Sequence, residues 1–188
     1  MGSGGDDTVG ARPEPGDERV ALYDPDDPCG REVGSSDRRT MRSGNLPHAS
    51  AMVLVHRSGG EVFVHRRSEA KDLWPGRLDA LSGGVVLAGE APAAAAVREL
   101  AEELGITGTD LRPLLRMWFR DEHTWCLLHV FETLWDGPVS FDDGEISEGW
   151  WESPEALATR VDDVTGLLVP DTRLVLRQLL DALGTTDT

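Results

Sequence analysis

The stretch from Gly84 to Ile106, GVVLAGEAPAAAAVRELAEELGI, constrains this chain more than any other. Pro92 suits the first turn of a helix and Gly105 the position just past its end. Between them Ala93, Ala96, Val97, Leu100 and Leu104 recur at three- and four-residue spacings, the pattern of one buried stripe. A helix this short is stabilised mainly by what its stripe packs on, so the stretch calls for a sheet or core beneath it.

Each residue lies about 100° around the helix axis from the one before, which brings Glu99, Glu102 and Glu103 onto one exposed edge. Unpaired carboxylates so close would repel and raise one another's pKa, so the edge calls for a cation. Oxygen-only hard donors suit magnesium, with manganese as the alternative. Magnesium commonly takes one or two carboxylates together with water and a substrate's phosphates, so an open helix edge meets its needs. The competing reading is a solvated acidic helix face, and the fixed spacing of the surrounding residues argues against it.

These residues resemble the Nudix box, Gx5Ex7REUxEExGU with U a bulky aliphatic, and every specified position matches, Gly84, Glu90, Arg98 and Gly105 included. The resemblance implies an α/β fold, the Nudix α/β/α sandwich, in which a mixed β-sheet lies between helices and the box forms a loop-helix-loop with backbone turns at Gly84 and Gly105. It implies a hydrolase of phosphoric anhydride bonds, with Glu99 and Glu103 as main metal ligands and Glu102 sharing the metal or ordering its waters. Arg98 would orient the carboxylates, and Glu90 would pair with Arg98 or join a further metal. The implied reaction is attack of a metal-activated water on one phosphorus of a small nucleoside-diphosphate-type substrate. Its general base lies in the box or on a later loop, where Glu148 and then Glu145 are the candidates; both could instead solvate an edge strand.

The similarity extends over Glu18 to Leu183 and is closest to the branch that looks like isopentenyl-diphosphate isomerases, through His48, HRRSEAKDLWPG, EISEGWW and SPEAL. In those isomerases a catalytic cysteine and a metal-binding histidine stand where this chain has Gly83 and Val85, which cannot do that chemistry. Isomerisation is therefore disfavoured. Their diphosphate-contacting arginine and lysine correspond to Arg67 and Lys71, the latter the chain's single lysine. A third alternative, a sensor that binds a nucleotide or sugar phosphate without cleaving it, would be expected to have lost box carboxylates.

At 188 residues and net charge −16, the chain reads as one domain that repels long nucleic acid. Residues 1–17 are too rich in glycine and polar groups to order themselves, 18–183 form the domain, and 184–188 should fray. Cys29 and Cys126 show no paired or metal-ligand spacing, and neither a signal peptide nor a spanning apolar run is present, so a cytoplasmic protein without membrane contact is expected. Asp24, Asp26 and Asp27 lack the spacing of a calcium loop and read as a solvated turn.

Strands are expected at Val20–Tyr23 and Arg31–Val33 as a hairpin, Ser50–His56, Glu61–Arg66, Ala80–Leu87, Leu111–Arg120, Trp125–Thr133 and just before Trp150-Trp151. A helix capped by Ser153 follows, then a final helix from about Pro170 with Leu174, Leu176, Leu179, Leu180 and Leu183 inward. Trp118, Phe119, Trp125 and Phe131 read as core or pocket wall. The edge of the N-terminal hairpin could support a homodimer.

Overall fold

The computed structural model describes residues 18–142, 144–163 and 165–184. The tail expected over 1–17, and residues 185–188, lie outside them. In chain order the elements are β1 (Arg19–Tyr23), β2 (Glu32–Asp37), α1 (Arg38–Ser43), β3 (His48–His56), β4 (Val62–Arg67), β5 (Leu78–Asp79), β6 (Ser82–Val85), α2 (Pro92–Leu104), β7 (Arg112–Arg120), β8 (Trp125–Leu134), β9 (Ile146–Glu152), α3 (Pro154–Asp162) and α4 (Pro170–Gly184).

The strands join in one curled mixed sheet of nine. β3 is its hub: it runs parallel to β8 along its whole length, from His48 opposite Cys126 to His56 opposite Leu134, and antiparallel to β6. β7 extends the sheet beyond β8, while β4 carries β9 and the short β5. Side chains alternate across a strand, and β3 shows the two layers. Ala49, Ala51, Val53 and Val55 pack with Ala95, Ala96, Leu100 and Leu104 of α2. Met52 points the other way, with Leu81, Leu128 and Val175 of α4, and Val62 and Val64 of β4 meet Leu157, Val161 and Leu176 of α3 and α4. Helices therefore cover both faces, and the α/β/α sandwich holds.

Four sequence expectations need correction. The α2 stripe runs through Ala95, Ala96, Leu100 and Leu104, while Val97 is half exposed and Ala93 faces solvent, because the helix meets the sheet about one residue further round than the spacing alone indicated. On α4, Val175 and Leu176 are buried and Leu174 points outward. The expected strand Ala80–Leu87 is shortened to β6, with the short β5 lying before it, since the Asp79 carboxylate accepts a bond from the Leu81 amide at 3.0 Å and turns the chain from β4 towards β3. Helix α1 was not anticipated; its cap, Asp37, accepts from the Thr40 amide at 2.8 Å. Both cysteines are free, Cys29 exposed and Cys126 buried.

Candidate active site

Helix α2 begins at Pro92 and ends on Gly105, whose φ of 65° is the left-handed conformation glycine adopts without strain. That geometry, together with the β6–β3 pairing, directs the acidic edge of α2 towards β6. The three carboxylates expected on one exposed edge separate there. Glu103 is 3% exposed and points into the fold, where it accepts from the Ser82 hydroxyl at 2.6 Å and from the Gly83 amide at 2.9 Å. Glu99 and Glu102 line the cleft. Gly84 makes room for Glu99: a Cβ there would stand 2.5 Å from a Glu99 carboxylate oxygen.

Arg98 ties these groups together. Its Nε and Nη2 form a fork on Glu90 at 2.9 Å each, its Nη1 reaches Glu99 at 2.6 Å and Glu102 at 3.4 Å, and its Nη2 also donates to the Val85 carbonyl at 3.2 Å. The Glu90 bonds raise the pKa of the guanidinium, even though burial opposes this. With both oxygens on Arg98 and a further bond from the Leu87 amide, Glu90 orients Arg98.

From the opposite wall, Lys71 reaches Glu103 at 3.2 Å and also pairs with Glu145, in the approach to β9. Burial alone would lower the lysine's pKa, but the two carboxylates hold it above the ordinary value. Burial pushes the Glu103 carboxyl up to about 7 against the pull of Lys71, and burial likewise raises Glu99 against Arg98. Glu145 moves the other way: Lys71 outweighs burial and holds it below the ordinary carboxylate range.

Arg67 lines the same cleft, with its Nε and Nη2 on the Leu73 carbonyl at 3.2 and 3.1 Å and its Nη1 on Asp79 at 3.2 Å. Glu148 stands apart. It pairs with Arg66 at 2.5 Å on the rim and is not among the cleft residues.

Sequence reasoning missed several contributors: Ser82, which anchors Glu103; buried Asp79, which also accepts from Thr172 Oγ1 at 2.5 Å; Asp171 on the cleft wall, its pKa pushed up to about 6 by burial and by Asp79; and Arg38 and Arg42 of α1. The Asp37 cap ahead of Arg38-Arg39-Thr40 was the one signal that could have exposed α1.

Among the described residues no three His, Cys, Asp or Glu side chains already stand as a metal cage. Arg98 and Lys71 occupy the positions between the carboxylates. The donor set nevertheless fits a hard divalent cation, being carboxylate oxygen throughout, with Glu99 seated on the open backbone at Gly84.

The family model for the NUDIX domain matches residues 46–171, from just before β3 to the start of α4. The chain belongs to the Nudix family. An uncharacterised Nudix hydrolase of Rhodococcus erythropolis is 41% identical over 172 residues, 86% of this chain and 91% of that one. Another, from Escherichia coli K12, is 36% identical over 133 residues, 71% and 74% of the two chains. The crystal structure of a Deinococcus radiodurans protein superposes with a TM-score of 0.71 at 27% identity, covering 86% of this chain and 98% of the other. The fold also matches the Nudix domain of Shewanella oneidensis NrtR, solved with ADP ribose, with a TM-score of 0.55 at 18% identity, covering 73% and 88%. As a Nudix hydrolase the chain acts on pyrophosphate bonds, and Nudix proteins generally use divalent metal ions. No helix among the described residues is long and apolar enough to cross a membrane.

Proposed function

We propose that the protein hydrolyses the diphosphate linkage of a small nucleoside-diphosphate-type substrate in the cytoplasm, with magnesium held by Glu99 and Glu103 and assisted by Glu102. The observation that carries this reading is the meeting of Glu99, Glu102, Lys71 and Glu145 in the lining of one cleft, with Glu103 paired to Lys71 behind them. A divalent cation bound there would neutralise charge on the diphosphate oxygens and make water nucleophilic at neutral pH.

Each remaining task falls to a residue of the chain. Arg98 fixes the orientation of Glu99 and Glu102, and Ser82 with the Gly83 amide fixes Glu103. Lys71 grips the diphosphate, while Arg67 shapes the wall through Leu73 and Asp79 and lends its charge to the same group. When Lys71 turns to the diphosphate it loosens its hold on Glu145, whose basicity then rises. A Glu145 carboxylate oxygen takes a proton from water as the water oxygen bonds to phosphorus; the bridging P–O bond breaks, and the leaving phosphate carries away its electron pair. Glu145 is favoured over Glu148 as base because Glu148 is held by Arg66 on the rim.

The isomerase alternative loses ground at position 83. A Cβ on Gly83 would lie 2.1 Å from the Ala51 carbonyl oxygen, so the nucleophile that isomerisation needs has no room. The non-hydrolysing sensor is disfavoured because every box carboxylate is retained. A homodimer, if formed, would use the open edge of β2.

The test is turnover of a panel of nucleoside diphosphates, nucleotide sugars and dinucleotides with magnesium, in wild type, Glu145→Gln and Glu148→Gln. Glu145→Gln should lose about a hundredfold or more in kcat, as expected for a general base, while Glu148→Gln stays close to wild type. The reverse pattern would move the base to Glu148.

A further inference from the structure

The cleft is larger than its chemistry requires. Its volume is about 520 Å³, and besides Gly84, Glu99, Glu102 and Lys71 its lining includes Arg38, Arg42, Asp72, Trp74 and Thr124. Pockets of this size take drug-sized ligands, so a diphosphate on the box residues leaves room for the rest of the substrate.

That lining holds two guanidinium groups one helical turn apart on α1, in a chain of net charge −16. Their contacts are long. Arg42 reaches Asp72 at 3.3 Å and Thr124 Oγ1 at 3.4 Å, and Arg38 reaches the same Asp72 at 3.6 Å and Glu18 at 3.3 Å. Charge-assisted pairs normally close to about 2.7–2.9 Å, as Arg98 does to Glu90 at 2.9 Å and Arg160 to Glu152 at 2.7 Å. Arg38 and Arg42 share one carboxylate at longer range, and among the described residues neither has a fork-to-fork partner. Burial weighs on the Arg42 charge, and Arg38 beside it adds repulsion. A dianion placed between the two forks would satisfy both.

We infer that Arg38 and Arg42 form a second anion-reading subsite, so that the substrate carries a phosphate monoester in addition to the scissile diphosphate. This rests on the hydrolase reading of the same cleft. Trp74, which lines the cleft with a φ of 54° and packs edge-on against His123 at 4.9 Å, supplies an apolar part of the same wall. A non-glycine residue in that conformation is strained, and such strain concentrates where a side chain must face a ligand.

Matched substrates that differ by one phosphate test the inference: NADP against NAD for a 2′-phosphate, and coenzyme A against its dephospho form for a 3′-phosphate. Wild type should favour the phosphorylated member of at least one pair by about tenfold to a hundredfold in kcat/KM, the range for a contact to a charged group. R42Q should abolish the preference through KM, costing the phosphorylated member more in kcat/KM than the unphosphorylated one; R38Q should reduce it, and R42K should keep part of it. Equal rates within both wild-type pairs overturn the inference and leave the hydrolase reading standing. So does equal loss for both members in R42Q, which would make Arg42 a grip on the shared diphosphate or a strut for α1. If neither pair is cleaved, calorimetric binding of the same ligands decides. Tighter binding of a phosphorylated member in wild type, lost in R42Q, sustains the subsite even as these substrates are excluded; equal binding or none overturns it.

Discussion

Glu103, proposed above as a metal ligand, shows what burial does to a carboxylate. Burial pushes its pKa up to about 7, above the ordinary 4.5, so the folded protein binds more protons than the unfolded chain between those values. Stability therefore falls as pH rises through that window, and the charge persists only because Lys71, Ser82 and the Gly83 amide surround it. Glu103→Gln removes the titration while keeping an oxygen for Ser82. The metal-free variant should melt near the wild-type temperature at pH 5 and above it at pH 8, by several degrees; a difference that does not change with pH would contradict the account. Asp171, raised for the same reason, leaves both proteins with a common slope, so the comparison isolates Glu103. The identities of the box residues were legible in the sequence because the pattern is rigid in spacing. The inward turn of Glu103 was not, since periodicity puts it beside Glu99 and Glu102 and only the packed Ser82–Gly83 backbone draws it in.

At the level of elements, the site depends on how closely β6 runs beside β3 and α2. Gly83→Ala would drive a Cβ to 2.1 Å from the Ala51 carbonyl, backbone against backbone, and should cost about 3 kcal/mol. Gly84→Ala presses on the flexible end of Glu99 at 2.5 Å and should spare stability while lowering metal affinity and turnover. Thermal melts and metal titration separate the two, and equal stability losses would contradict the assignment. Helix α1 carries the proposed second subsite and hangs on one cap. Asp37→Ala should cost about 1 kcal/mol, lowering Tm by roughly 2–4 °C, and should weaken discrimination between the matched substrates. The strands of the hub and the α2 boundaries were readable from alternation, Pro92 and Gly105. The six residues of α1 carry too little periodicity to stand out, and the late start of β6 within Ala80–Leu87 comes from one side-chain bond, Asp79 to the Leu81 amide.

Over the whole molecule, helices on both faces of the curled sheet leave one large cleft, walled by α2 and β6 on one side and by α1 and the approach to β9 on the other. The sandwich was implied by the resemblance that the box carries, whereas the meeting of Lys71, Glu103 and Glu145 depends on loop paths that no local pattern encodes. A net charge of −16 would disfavour any polyanion, yet the cleft lining collects Arg38, Arg42, Arg67, Lys71 and Arg98, which suits the phosphates of the proposed substrate. Binding of the divalent ion at this site should raise Tm, by about 2.7 kcal/mol of stability at a hundredfold excess over Kd. The most direct measurement is phosphorus NMR of a diphosphate panel turned over in oxygen-18 water with magnesium. The account predicts cleavage of one substrate class by wild type, one oxygen-18 on a single phosphate product, and loss of at least a hundredfold in Glu103→Gln while its fold is retained. Turnover that persists in Glu103→Gln, or without any divalent ion, would contradict it.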